Sequence, residues 1–85
     1  MRIRYTKEFQ LEYSKIIKRN LGLRSKIRKQ ITRMQVQINH PSLRLHKLSG
    51  GKYWSVSVDK SIRILVVIEG EIVYAYHIGK HEDVY

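Results

Sequence analysis

The apolar residues of this chain keep two different periods, and the change from one to the other falls at Pro41. Before it, Leu23, Ile27, Ile31, Met34 and Ile38 are spaced four, four, three and four residues apart, which gathers them on one face of an α-helix. The other faces of this stretch carry Arg24, Lys26, Arg28, Lys29 and Arg33. An isoleucine and methionine stripe at this spacing is core packing and needs no cofactor. A shorter stripe of Phe9, Tyr13, Ile16 and Ile17 predicts an earlier helix, with Thr6 as its cap and Glu8 in the first turn, where the helix dipole favours an anion. Asn20-Leu21-Gly22 separates the two. The second helix is expected to run from about Leu23 to Asn39 and to stop at His40-Pro41, because proline disfavours helical geometry in the residue before it.

After Pro41 the period becomes two, which predicts strands over 43–46, 53–58, 62–68 and 72–78. Their connections, Ser49-Gly50-Gly51-Lys52, Asp59-Lys60-Ser61 and Glu69-Gly70-Glu71, are too short for a parallel crossover. Arg2-Ile3-Arg4-Tyr5 also alternates and reads as a strand. The expected fold is therefore α+β: an N-terminal strand, a two-helix hairpin, then a four-stranded antiparallel meander. The helices should bury their stripes on one face of the sheet and leave the other for a ligand. Eighty-five residues allow one hydrophobic core, so a single domain over 1–85 is expected.

Charge is the strongest compositional signal. Residues 1–63 hold 16 Lys and Arg against Glu8, Glu12 and Asp59, a net +13, whereas residues 64–85 hold Lys80 against Glu69, Glu71, Glu82 and Asp83, a net −3. A surface this basic points to phosphates or an acidic protein as partner. The absence of cysteine excludes a disulfide framework, a thiolate zinc site and a thiol nucleophile. The longest apolar run, 64–68, falls far short of the roughly 20 residues of a membrane span, and no apolar segment follows the basic start, so a cytoplasmic protein without membrane contact is expected.

The order of elements, the segment Leu45-His46-Lys47-Leu48-Ser49-Gly50, the Ile62-Arg63-Ile64 strand and the ending His77-Ile78-Gly79-Lys80-His81-Glu82-Asp83-Val84-Tyr85 together resemble the RelE/ParE superfamily of bacterial and archaeal toxins. The resemblance covers essentially the whole chain. Its most specific part, Gly79 to Tyr85, is similar to the end of the RelE- and YafQ-like ribonuclease branch. It implies a toxin of a type II toxin–antitoxin pair that cleaves messenger RNA, usually in the ribosomal decoding site, with no metal or cofactor. It also implies a bound antitoxin as inhibitor, expected here to be acidic and encoded by an adjacent gene, with the basic helix as a place for it to lie.

Cleavage of RNA without metal requires the 2′-hydroxyl to attack its own phosphate. A site then needs a proton acceptor, a donor for the leaving 5′-oxygen, and cations around the phosphorane. Arg63 is the one charge within its apolar strand: either its head reaches solvent from the strand end, or, as the resemblance implies, it binds the scissile phosphate. His81 is the candidate general acid, since an imidazole can carry and release a proton, and the resemblance gives Tyr85 the role of stacking on a base or holding the 2′-hydroxyl region. The short turn between their strands places the chain after Ile78 beside the Arg63 end. His46 is the candidate base or a structural histidine. Lys47, Lys52 and Lys80 read as phosphate contacts, and Trp54 as core or as a stacking platform.

The chain departs from the pattern before the arginine. Trp54-Ser55-Val56-Ser57 lacks the lysines that RelE carries there, and Lys60-Ser61 replaces the residues of the YafQ-like Asp-Trp turn, which leaves the base open. A metal held by His77 and His81 with Glu82 and Asp83 is disfavoured by the glycine between the histidines. Two alternatives compete: a ParE-like toxin that binds DNA gyrase without catalysis, against which His81 and Tyr85 argue, and a noncatalytic RNA-binding module, for which the strands carry no RNP-type aromatic signature.

Overall fold

The computed structural model describes residues 1–81; Tyr85, expected at the site, lies outside the described residues, as do Glu82, Asp83 and Val84. Strand β1 (Arg2–Tyr5) leads into helix α1 (Lys7–Arg19), whose cap Thr6 accepts the Phe9 N–H at 3.0 Å. The Thr6 hydroxyl in turn donates to the Tyr76 carbonyl at 2.8 Å, tying the helix start to a distant strand. Tyr5, Phe9 and Tyr13, four residues apart, stack in a row with centroids 5.4 and 6.1 Å apart. Partial burial, and then the neighbouring Tyr13, push the Tyr5 phenol above its usual pKa.

Helix α2 (Gly22–Val36) buries Leu23, Ile27, Gln30 and Met34. It ends three residues before the expected Asn39. Gln37 adopts an extended geometry (φ −153°, ψ 93°) while its N–H still donates to the Arg33 carbonyl, so the chain leaves the helix early and Ile38 reaches the core by a different route. Pro41–Leu43 then forms a 3₁₀ turn, with the His40 Nδ1 accepting the Ser42 N–H at 3.1 Å.

The strand expected over 43–46 is correspondingly shorter. Leu43 is fully buried at the end of the 3₁₀ turn and Arg44 takes a left-handed conformation (φ 47°) that reverses the chain. Leu43 and Leu45 alternate because both pack on the core, not because the backbone is extended there. Strand β2 is only His46–Lys47, followed by β3 (Trp54–Ser57), β4 (Ile62–Glu69) and β5 (Ile72–Lys80).

The sheet order is β1-β5-β4-β3-β2. The meander is antiparallel as expected, and β1 closes the far edge parallel to β5, with Arg2 opposite Ile72 and Tyr5 opposite Ala75. One face of the sheet supplies Val56, Ile62, Ile64, Val66, Val73, Ala75 and Ile78 to a core shared with Phe9, Leu23, Ile27 and Met34. Each such aliphatic side chain contributes about 1.5–3 kcal/mol by leaving water. The other face carries Arg63, Leu65 and Val67 of β4 and their partners. No helix among the described residues is long and apolar enough to cross a membrane.

Candidate phosphate-binding cleft

The turn between β3 and β4 is organised by one carboxylate. Asp59 Oδ1 accepts the N–H groups of Ile62 (2.7 Å) and Ser61 (2.9 Å) and the Ser61 hydroxyl (3.3 Å). Partial burial alone would raise the Asp59 pKa, but these hydrogen bonds and the Lys26 charge together outweigh it and hold the carboxyl below its ordinary value of 3.8. A depressed carboxyl stabilises the fold above its unfolded pKa, and that stability is lost as pH falls through the folded value. Asp59→Asn is therefore expected to be less stable than the parent at pH 7, by less than about 1 kcal/mol because solvent screens the site, with the gap closing below about pH 4. Urea melts at several pH values test this; a gap that widens in acid contradicts it.

The same turn holds Arg63. Its Nη1 donates to the carbonyls of Asp59 and Ile62, and the Asp59 carbonyl also accepts the Ser57 hydroxyl at 3.1 Å. The other guanidinium N–H groups make no hydrogen bond among the described residues, so the fork is anchored at one prong. Arg63 pairs with Gly79 on β5, which brings no side chain to cover it, and with Ser57 on β3. Beyond β5 the His81 N–H donates to the Ser61 carbonyl at 2.7 Å, which draws the end of the described chain against the turn. The result is an open cleft of about 370 Å³ lined by Lys60, Ser61, Arg63, Lys80 and His81. Lys60, Arg63, Lys80 and His81 all contribute to its wall, and no carboxylate of the described residues does. Lys80, which pairs with the core residue Ile62, stands at the rim and also lines the groove on the helix side. Such a cleft suits a phosphate in the process of gaining charge.

Of the residues singled out in the sequence, Arg63, Lys80 and His81 come together. His46 lies on the same sheet face, since it pairs with Ser55 and Ser55 with Leu65, but two strands from β4, about 10 Å across the sheet. It is exposed, and its Nδ1 is 3.2 Å from the Arg44 carbonyl. Lys52 is on this face as well, its Nζ 5.1 Å from the centre of the Tyr76 ring. Lys47 and Trp54 are not. They pair with each other and Trp54 pairs with Val66, which puts both on the helix-covered face; Trp54 packs against the core and the Lys47 Nζ stands 5.9 Å from its ring. The period of two fixes this: Val56 must face the core, so Trp54 does too and Ser55 and Ser57 face the cleft side.

Lys60 was legible only as a turn residue, although its place between Asp59 and Ser61, both engaged in the turn, is a signal that its own side chain points elsewhere. Tyr53, Tyr76 and His77 on the cleft side had no such signal. A bulge lets two of them share it: Leu65 pairs with His77 and Val66 with Ala75, leaving Tyr76 as the extra residue. At the open edge of β5, beyond β1, Glu12 Oε1 accepts the Ile78 N–H and lies 3.2 Å from the His77 Nδ1.

The fold is that of the RelE/ParE-type toxins. The chain is similar to a copper-bound mutant toxin from Helicobacter pylori, at 14% identity and TM-score 0.85, over 100% of this chain and 99% of that one. It is similar to YafQ in the DinJ–YafQ complex of E. coli, at 17% identity and TM-score 0.84 over 100% and 99% of the two chains. It also resembles the YoeB/ParE toxin from Agrobacterium tumefaciens, at 18% identity and TM-score 0.78 over 95% and 99%. No protein-family model matches the chain, and no curated protein matches it.

Proposed function

We propose that this protein, acting as one domain in the cytoplasm, is the toxin of a type II toxin–antitoxin pair of the RelE/ParE superfamily and that it cleaves messenger RNA at the ribosome without a metal ion. The observation that carries the reading is the cleft in which Lys60, Arg63, Lys80 and His81 meet on a fold shared with such toxins. In this mechanism the 2′-hydroxyl attacks the adjacent phosphorus, Arg63 and the two lysines neutralise the phosphorane, and His81 protonates the departing 5′-oxygen. The products are a 2′,3′-cyclic phosphate and a free 5′-hydroxyl. His46, on the same face, is the candidate for the proton acceptor, with Tyr85 positioning the nucleotide. The inhibitor is an acidic antitoxin. Its proposed seat is the groove between α1, the start of α2 and the end of β5, where Ile16, Leu23 and Ile78 are flanked by Lys15, Lys18, Arg19 and Lys80 against the two carboxylates of Glu12 and Asp59.

Purified protein mixed with RNA and ribosomes in EDTA tests the reading through the ends of the fragments. Cyclic phosphate ends support it, and intact RNA overturns it. Binding to a single strand should also depend on salt. With about four phosphate contacts, from Lys52, Lys60, Arg63 and Lys80, log affinity against log salt should have a slope of roughly −3. A flat line points to a different ligand.

A further inference from the structure

On the same sheet face, at the other end of β4, two tyrosines and a lysine form a cluster that the cleavage chemistry does not use. Tyr53 immediately precedes β3, and the register places it beside Val67. Its ring meets that of Tyr76 edge to face, with centroids 5.6 Å apart and planes at 73°, and His77 follows at 6.1 Å from Tyr53. The Lys52 Nζ stands over both tyrosines, 5.9 Å from one centroid and 5.1 Å from the other. Both rings are partly buried with some surface left to solvent, and neither hydroxyl makes a hydrogen bond among the described residues. The loop before them stays clear, since a side-chain carbon added at Gly50 would meet nothing within 4 Å.

We infer that Lys52, Tyr53 and Tyr76 form a base-stacking site for single-stranded nucleic acid, separate from the cleft, that holds a nucleotide flanking the one at Arg63. The site rests on the ribonuclease reading, because Arg63 is what anchors the strand. A packing role alone would be served by apolar side chains; a cation held over an accessible aromatic pair instead offers a base two π-faces and a phosphate a counter-charge. Every base has a π-face, so the site tolerates sequence. Four residues of β4 separate Arg63 from Val67, about 13 Å, so a strand crossing the face from the cleft meets the tyrosines within its next few nucleotides. The bulge at Tyr76 is what turns the second ring to this side, a device that recurs where a strand must re-aim a side chain.

The test is equilibrium binding of a short all-deoxy oligonucleotide, which has no 2′-hydroxyl and is not cut, in its intact form and with one base removed at each position in turn. For the full chain, loss of one particular base should weaken binding by about 5- to 150-fold. Tyr53→Leu and Tyr76→Leu should weaken the intact strand by a similar factor and erase the penalty at that position, whereas Tyr76→Phe should retain both. A leucine variant that binds intact and abasic strands with an equal loss shapes the sheet rather than holding a base, and overturns the site. Lys52 is exposed in a loop, so Lys52→Ala tests the site without risk to folding: the salt slope should become shallower by about 0.7, and an unchanged slope overturns its part. A parent that binds and cleaves RNA while all these variants behave like it refutes this site alone. A parent that binds no strand overturns the site, and the ribonuclease reading falls with it only if RNA also stays intact with ribosomes in EDTA.

Discussion

Arg63→Ala is expected to lower the rate of RNA cleavage by about 10² or more while leaving the protein folded. The rate effect follows from the cleft: one preorganised donor aimed at developing charge is worth about 10² to 10³ in rate, and the guanidinium supplies a fork that lysine cannot reproduce. The effect on stability is small by comparison. Arg63 gives up hydrogen bonds to the Asp59 and Ile62 carbonyls, but the Asp59 carbonyl keeps the Ser57 hydroxyl and the turn keeps all three hydrogen bonds to the Asp59 carboxylate. The loss should stay near 1 kcal/mol. Arg63→Lys should fall between parent and alanine, since it keeps the charge without the planar geometry. Single-turnover cleavage alongside a urea melt separates the two effects. If Arg63→Ala and His81→Gln both cleave at the parent rate, the cleft is not the active site, and His46 with the Ser49-Gly50-Gly51-Lys52 turn becomes the place to look.

The part of the cleft that could be read from the sequence is the part that local rules determine. The two-residue connection Gly70-Glu71 joins β4 and β5 in a hairpin, and a hairpin sets which residues face each other, so Arg63 opposite Gly79 with His81 just beyond was within reach. The stripe from Leu23 to Met34 was equally plain, because a helix that buries one face announces its period. What escaped depends on contacts far apart in the chain. Nothing near Arg2 shows that β1 will lie parallel to β5, since that pairing follows the passage of α1 and α2 across the sheet. The alternation of Leu43 and Leu45 imitates a strand because burial, not backbone geometry, spaces them. The extra residue at Tyr76 changes the face of every side chain beyond it on β5, and a one-residue slip of this kind leaves no mark on composition. Trp54 illustrates the opposite case: its phase relative to Val56 already placed it with the core, and its chemical character alone made it a candidate for stacking.

Gln30→Leu should be the reverse of Arg63→Ala, with a large loss of stability and a modest loss of activity per folded molecule. Strand β2 spans two residues and covers only Trp54 and Ser55 of its neighbour, so the edge of β3 is open at Ser57. Gln30, buried on α2, fills that gap. Its Nε2 donates to the Ser57 carbonyl at 2.6 Å and to the Ser42 carbonyl at 3.2 Å, while its Oε1 accepts from Arg33, which also reaches the Ser42 hydroxyl at 2.8 Å. Leucine matches the volume but leaves two carbonyls without these donors, at about 1–3 kcal/mol for each buried group, so a total of about 2–6 kcal/mol is expected. A domain of this length has only about 4–13 kcal/mol in all. The urea midpoint should therefore drop steeply. Because Ser57 pairs with Arg63 and its hydroxyl supports the Asp59 carbonyl, some loosening reaches the cleft. The pairing of β4 with β5 does not pass through Gln30, however, so Arg63 and His81 stay together and cleavage corrected for the folded fraction should fall less than about tenfold. An unchanged midpoint would show that water replaces the amide at Ser57, and a loss of cleavage as deep as that of Arg63→Ala would make Gln30 part of the positioning of the arginine itself.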